Sequence, residues 1–163
     1  MLTAKQIGRI VTLTALCIVL RIVFGPFPNI KPLAAIFLVS IGYLGIVEAL
    51  LIMVLTMVGS GILFGFGIHI LWQVLSFALI QILWKGLLSK GFMNQDRTVL
   101  VQSILAGLLT LMYGLIISVF TAMQFGVSLI PFWLNGLFFD ALHGLSTVFF
   151  YPIIFQIFRR FYK

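Results

Sequence analysis

Charged residues are scarce in this chain: Asp, Glu, Lys and Arg make up 8% of its 163 residues. A soluble domain has about 25% charged residues, because its surface must face water. Apolar residues account for 63% of the chain, and 10 Lys and Arg with 3 Asp and Glu cannot cover a soluble surface of this size. The composition therefore excludes a cytosolic enzyme and a nucleic-acid-binding domain.

Cysteine and histidine are also rare. The single cysteine, Cys17, excludes an internal disulfide and a cysteine metal cluster, and with them a secreted disulfide scaffold. His69 and His143 alone do not make a metal site, because a catalytic zinc needs three protein ligands. The sequence also lacks a Walker motif, an H-E-x-x-H motif and a nucleophile elbow. We therefore expect a protein that recognises a molecule without a cofactor, with any energy supplied by a partner.

Long apolar runs make up most of the chain, and breaks of proline, glycine and charge divide them into six helices. Each membrane crossing needs about 20 residues, so a chain of this length allows about six. The sequence predicts an all-α membrane protein, a compact bundle of six transmembrane helices that forms one domain over residues 1–163. The predicted helices cover about residues 7–24, 33–43, 46–64, 68–88, 99–125 and 132–158.

The positions of Lys and Arg predict the orientation of these helices. With six helices and both termini in the cytoplasm, eight of the 10 cations lie on the cytoplasmic side. Lys31 lies in an external loop, and Arg21 lies near the outer end of the first helix. This distribution agrees with the positive-inside rule for a multi-pass protein of the plasma membrane. The cytoplasmic cations are Lys5, Arg9, Lys85, Lys90, Arg97, Arg159, Arg160 and Lys163.

Polar side chains within the predicted membrane region collect towards the external side. They lie at the end of the first helix and in its loop, at the start of the fourth helix, and in the outer half of the sixth. His143 lies roughly 18 Å along its helix from Pro131, near the middle of the membrane. We expect these side chains to surround one pocket that opens to the outside. The candidate binding residues are Arg21, Asn29, His69, Trp72, Gln73, Asn135, Phe139, Asp140 and His143.

Each of these polar residues also has a purely structural explanation. Trp72 fits an aromatic belt at the membrane surface, and an intramembrane Gln or Asn often joins two helices. Asp140 needs a partner, because an unpaired carboxylate in the membrane costs roughly 2.5–3.5 kcal/mol. Arg21 and His143 are the nearest candidates for that partner, while Glu48 is expected at the cytoplasmic interface. The clustering of the residues favours a pocket more strongly than any one residue does.

Three segments of the chain resemble motifs of a known family. Residues 27–32, FPNIKP, are similar to the pattern F-P-N-[IV]-x-P. Residues 64–73, FGFGIHILWQ, are similar to F-G-x-G-x-x-x-x-W-Q, and residues 135–143, NGLFFDALH, to G-L-x-F-D-x-x-H. In these motifs, in its length and in its charge pattern, the chain resembles the substrate-binding S components of energy-coupling factor (ECF) vitamin importers.

The resemblance implies a bacterial membrane subunit that binds a water-soluble vitamin at its outer face and topples within the membrane during transport. Its partners would be a transmembrane coupling subunit and two ATP-binding-cassette ATPases. S components dock through small residues of the first helix, where this chain has Val11, Ala15 and Val19. The substrate stays open between pantothenate, pyridoxine or a hydroxymethylpyrimidine, and cobalamin. Arg21 or Lys31 could receive a carboxylate, which would suit pantothenate. A small membrane enzyme or chaperone and an assembly subunit without a ligand are the alternative functions.

Overall fold

The computed structural model describes residues 2–88 and 98–162. Over these residues the chain forms six α-helices and no β-strand. Five of the helices are long and apolar enough to cross a membrane, as expected for a multi-pass membrane protein. The helices are α1 (Ala4–Val23), α2 (Leu33–Leu44), α3 (Ile46–Phe64), α4 (Ile68–Leu88), α5 (Val99–Phe125) and α6 (Leu129–Phe161).

The bounds of α3, α4 and α5 are those predicted from the sequence, whereas α1 and α6 begin earlier than predicted. α1 begins at Ala4 because Thr3 and Gln6 form a capping box, in which each side chain accepts the backbone N–H of the other residue. α6 begins at Leu129, before Pro131, because the N–H groups of a first helical turn have no partner within the helix. A proline in that turn therefore loses no hydrogen bond.

The short helix α2 lies at the centre of the bundle. Its 12 residues reach about 18 Å at 1.5 Å per residue, less than the roughly 30 Å of a membrane core. Every residue from Leu33 to Ile41 is buried, and α2 contacts each of the other five helices. Its sequence is apolar on all sides, which agrees with this enclosed position.

Helices α2 and α3 are joined by a single residue, Gly45. Its φ of 90° lies in the region that side chains with a Cβ rarely adopt. This sharp turn reverses the chain direction at once and lets α3 pack directly against α2. The glycine thus fixes one end of the central helix, and Pro32 occupies the N-cap position at its other end.

Glycines bring helices α5 and α6 close together. A Cβ added at Gly107 would lie 2.5 Å from Val148 Cγ2 and 3.0 Å from the Gly144 carbonyl oxygen. A Cβ added at Gly114 would overlap the Asp140 carboxyl group. In a membrane the hydrophobic effect does not drive helices together. Helices associate there through close van der Waals contact, which small residues permit.

Two fully buried glutamines join neighbouring helices. Gln81 Nε2 donates to the carbonyl oxygens of Phe37 and Ala49, at 3.3 Å each, and so joins α4 to α2 and α3. Tyr151 Oη donates to Gln102 Oε1 at 3.0 Å and joins α6 to α5. These glutamines act as interhelical hydrogen-bonding groups, the structural alternative weighed above for polar residues in the membrane.

We expect Gly107→Leu to destabilise the contact between α5 and α6, because Val148 and Gly144 leave no space for the new side chain. Overpacking of this kind costs about 1–3 kcal/mol in the free energy of unfolding. Gly136→Leu is the matched control on α6, since a Cβ there meets no atom within 4 Å. The midpoint of thermal unfolding in detergent measures both variants. Equal midpoints for the two variants would contradict the close packing.

Candidate functional site

All six helices contribute side chains to one polar cavity beside the loop that joins α1 to α2. Its volume is about 80 Å³, which is enough for several water molecules or a small polar group. The cavity lies at the first residue of α2, where this short central helix begins. The lining residues are Arg21, Asn29, Lys31, Leu33, Met57, Gln73, Phe77, Tyr113 and His143.

Arg21, in the last turn of α1, connects three helices at the wall of the cavity. Its Nη2 donates to Gln73 Oε1 at 3.1 Å, and its Nη1 lies 2.8 Å from the Met57 sulfur. The guanidinium carbon lies 5.7 Å from the centroid of the Phe64 ring. All three partners are neutral, so none of them balances the charge of Arg21.

The loop between α1 and α2 is fastened to α6. Asn29, which has a φ of 55°, donates from Nδ2 to the Phe139 carbonyl oxygen at 3.1 Å. Ser146 Oγ accepts the Lys31 backbone N–H at 2.9 Å and donates to the Lys31 carbonyl oxygen at 3.0 Å. The Lys31 main chain is therefore fixed, while its side chain lines the cavity. Burial lowers the pKa of the Lys31 ammonium from its usual value, and the charge of Arg21 lowers it further.

Three rings form an aromatic part of the cavity wall. The ring centroids of Phe77 and Tyr113 lie 4.3 Å apart. The His143 ring stands edge-on to both, with its centroid 5.4 Å from that of Tyr113 and 6.2 Å from that of Phe77. The cavity thus combines cationic, amide and aromatic groups, a combination that is typical of small-molecule sites.

The structure brings some of the predicted binding residues to this cavity and places the others outside it. Those that line the cavity are Arg21, Asn29, Gln73 and His143. Those outside its lining are His69, Trp72, Asn135, Phe139 and Asp140. The structure therefore does not bring all of them to this cavity, and the reason differs from residue to residue.

Trp72 faces helix α5 instead of the cavity. Its ring stacks on Phe120 with the centroids 5.0 Å apart, and its Nε1 donates to Gln124 Oε1 at 2.6 Å. One step along an α-helix turns the side chain by about 100°, so Trp72 and its neighbour Gln73 point in different directions. Trp72 therefore joins two helices and does not touch the cavity.

His69, Asn135 and Phe139 belong to the expected helices, but their side chains are exposed. His69 lies about one turn nearer the end of its helix than Gln73, and Asn135 about two turns nearer the end of its helix than His143. The Phe139 carbonyl oxygen accepts the hydrogen bond from Asn29 in the loop, and the Phe139 ring is exposed outside the cavity. The sequence thus indicated the helices that carry these residues, and it did not indicate how deep along each helix the side chains lie.

Asp140 has no charged partner among residues 2–88 and 98–162, so the expected ion pair with Arg21 or His143 is wrong. Its carboxyl group lies against Gly114, because the missing Cβ of this glycine leaves space for it on α5. The Trp133 indole approaches the carboxyl group, yet neither its N–H nor Asp140 Oδ2 makes a hydrogen bond of good geometry. Asp140 is thus a partly buried carboxylate without a counter-ion in the described structure.

The structure contains an ion pair that was not predicted. Arg9 Nη2 lies 2.8 Å from Glu48 Oε1, and Gln6 Nε2 donates to the same oxygen at 3.0 Å. The Glu48 side chain is 3% exposed and lies in the first turn of α3, so protein atoms enclose it at the end of the bundle where α1 begins. A carboxylate at this depth needs such donors, since an isolated buried charge is very costly. The pair joins the start of α1 to the start of α3, far along α1 from the cavity.

Several lining residues were not among the predicted binding residues, although Lys31 was considered, with Arg21, as a partner for a substrate carboxylate. Phe77 follows Gln73 by one helical turn, so the period of the helix could have revealed it. Leu33 and Met57 carry no polar group that marks them, and Tyr113 stands alone in an apolar run. The additional lining residues are Lys31, Leu33, Met57, Phe77 and Tyr113.

A second recess, between α1, α2 and α6, is larger but apolar. Its volume is about 640 Å³, and most of its lining consists of Leu, Ile and Phe side chains. A water-soluble ligand would lose its hydration there without gaining new hydrogen bonds. In the part of the chain that the structure describes, no group of three or more His, Cys, Asp or Glu could hold a metal ion. The polar cavity is therefore the candidate binding site.

Neutralising Glu48 and neutralising Asp140 should have different effects on stability. Glu48→Gln weakens the contact with Arg9 and should lower the free energy of unfolding by about 1–2 kcal/mol, since Arg9 is 26% exposed and partly screened. Asp140→Asn removes an unbalanced charge and should leave stability unchanged or increase it. Thermal unfolding in detergent measures both variants. An equal loss for Asp140→Asn would show that Asp140 is paired.

Comparison with known proteins gives no match for the chain. No protein-family model, no curated protein and no solved structure matches it. The residues of the cavity, their geometry and the motifs of the sequence are accordingly the observations on which a function can be based.

Proposed function

We propose that the protein is the substrate-binding S component of an ECF-type vitamin importer in a bacterial plasma membrane. The observation that carries this proposal is the polar cavity, which receives lining residues from each of the three segments that resemble the family's motifs. The segment 27–32 supplies Asn29 and Lys31, the segment 64–73 supplies Gln73, and the segment 135–143 supplies His143. Segments that are far apart in the sequence therefore meet at one site.

The charge distribution supports an orientation in which this cavity faces outward. Lys5 and Arg9 lie in the first turns of α1, and Arg159 and Arg160 lie in the last turn of α6. The cavity lies at the other end of α1, where Arg21 lines it, and the positive-inside rule assigns the basic end to the cytoplasm. In this proposal both termini are cytoplasmic and the chain crosses the membrane six times, with α2 enclosed as the shortest helix. Lys90, Arg97 and Lys163, which belong to the same charge count, lie outside the described residues.

The size of the cavity favours a small vitamin as the substrate. Its volume of about 80 Å³ is well below the roughly 300–1,000 Å³ of sites for drug-sized ligands. Pantothenate, pyridoxine and a hydroxymethylpyrimidine are therefore better candidates than cobalamin, which is many times larger. The loop that carries Asn29 and Lys31 is the natural element to move for ligand entry, because it closes one side of the cavity through two contacts with α6.

In this proposal, a transmembrane coupling subunit and two ATP-binding-cassette ATPases supply the energy for uptake. α1 is well placed to dock on the coupling subunit, because its backbone packs closely against only two of the described helices, α3 and α2. Val11, Ala15 and Val19 lie exposed along one face of α1. Gly8 lies two turns before Ala15 on that face, with open space around it. Small residues at such a face permit close approach of a partner helix.

Mass spectrometry of the purified protein tests the proposed function. We expect a water-soluble vitamin to co-purify with the chain from its membrane. In titration calorimetry with that vitamin, Gln73→Ala should weaken binding about 2- to 12-fold, because it removes one neutral hydrogen bond. Asn135→Ala is the matched control and should bind as the unchanged protein does, since Asn135 is exposed and outside the cavity lining.

Two results would contradict the proposed function. One is a purified, folded protein from which no vitamin is released and to which none binds. The other is a vitamin whose affinity falls with Asn135→Ala and not with Gln73→Ala, since the ligand would then sit outside the cavity. Folding of each variant is checked by its thermal unfolding midpoint, so that a loss of binding is not confused with a loss of structure.

Ala15→Leu tests the proposed docking face. The larger side chain should hold the partner helix away and reduce co-purification of the coupling subunit, while ligand binding to the isolated protein stays unchanged. Gly136→Leu adds similar bulk in open space on α6 and is the control for assembly. Loss of ligand binding in Ala15→Leu with normal assembly would show that this face of α1 serves the cavity instead.

A further inference from the structure

The cavity collects positive charge without a matching negative charge. Arg21 and Lys31 both line it, and no acidic side chain is among its lining residues. Among the described residues, the ion pair that forms joins Arg9 to Glu48 near the start of α1, and it includes neither Arg21 nor Lys31. Asp140 lies outside the lining. The described residues therefore place two cations at one site and leave both without a counter-ion.

Arg21 has capacity for a further hydrogen-bonding partner. A guanidinium has five N–H donors, and the contacts with Gln73 and Met57 use one on each terminal nitrogen. Both partners are neutral, and each fixes the position of the guanidinium without balancing its charge. An arginine held in this way is prepared to bind an anion, because its fork geometry matches a carboxylate or a phosphate.

Lys31 is also held in place by groups that leave its charge unbalanced. Its backbone N–H and carbonyl oxygen are both bound to Ser146, so the loop position does not depend on the side chain. Burial and the nearby charge of Arg21 lower the pKa of its ammonium group. An anion between the two side chains would remove this repulsion, since it would attract both cations at once.

We propose that the ligand of this cavity carries an anionic group, a carboxylate or a phosphate, which binds between Arg21 and Lys31. This inference rests on the proposed function and narrows its substrate class. The remainder of the ligand would then lie against the aromatic wall formed by Phe77, Tyr113 and His143. Pantothenate, which is a carboxylate at neutral pH, satisfies both conditions, whereas uncharged pyridoxine and hydroxymethylpyrimidine satisfy only the second.

Matched pairs of probes test the inference with the full-length protein in detergent. The carboxylate pair is pantothenate and its alcohol, pantothenol, and the phosphate pair is pyridoxal 5′-phosphate and pyridoxal. We expect the anionic member of one pair to bind about 10-fold or more tightly than its neutral partner in titration calorimetry, because hydrogen bonds to a charged group are the stronger ones. The pair that shows this preference distinguishes a carboxylate ligand from a phosphate ligand.

Variants show whether the two cations produce the preference. Lys31→Gln keeps the main-chain bonds to Ser146 and should lower the affinity for the anionic probe about 3- to 10-fold, since Lys31 is partly exposed. Arg21→Gln should lower it about 10-fold or more. In both variants the affinity for the neutral probe should fall by a smaller factor than the affinity for the anionic probe. Arg160→Gln, an exposed cation at the end of α6, is the control and should change neither affinity.

Three outcomes would overturn the inference. Equal affinity for both members of each pair would overturn it and leave the proposed function in place, provided that a vitamin co-purifies. A preference for the anionic probe that survives both Lys31→Gln and Arg21→Gln would overturn the assignment to these cations. Failure of all four probes to bind would overturn the anionic substrate class, and the co-purified vitamin would then decide the proposed function separately.

Discussion

Helix α2 has 12 residues and reaches about 18 Å, while the five helices around it are long enough to cross a membrane. This difference in length determines where the cavity lies. The long helices continue past Leu33, the first residue of α2, and at that level their side chains surround an open space. Polar groups from α1, α4 and α6 and from the preceding loop project into the space. The cavity is therefore a consequence of enclosing a short helix among long ones.

The few polar side chains of the described bundle have two separate roles: some join helices, and others line the cavity. Gln81 and Gln102 are fully buried and bond to neighbouring helices, and Glu48 is bonded to Arg9. These groups stabilise the assembly of helices, because a polar group within the membrane needs a partner. Gln73, by contrast, lines a space that is open to a ligand. Residue type alone does not distinguish the two kinds, since glutamine occurs in both.

Apolar runs and their breaks predicted the bounds of α3, α4 and α5, because glycine, proline and charge interrupt a membrane helix for local reasons. The starts of α1 and α6 lie earlier than predicted, because of the capping box at Thr3 and the tolerance for proline in a first helical turn. For the site, the polar residues within the apolar runs indicated α1, α4 and α6, and the structure places Gln73 and His143 in the cavity lining. This indication failed for Trp72 and Asp140, since their partners lie on α5, and contacts between helices cannot be obtained from one helix alone.

A structure determined from the protein with its co-purifying molecule would test most directly whether the polar cavity binds a ligand. We expect density for a small molecule in the cavity, within hydrogen-bonding distance of Arg21 and Gln73 and in contact with the ring of Tyr113. Density for a bound molecule only in the apolar recess between α1 and α6, with the polar cavity holding water alone, would contradict the account. Such a result would make the cavity a hydrated gap in the packing and would remove the basis for a vitamin-binding function.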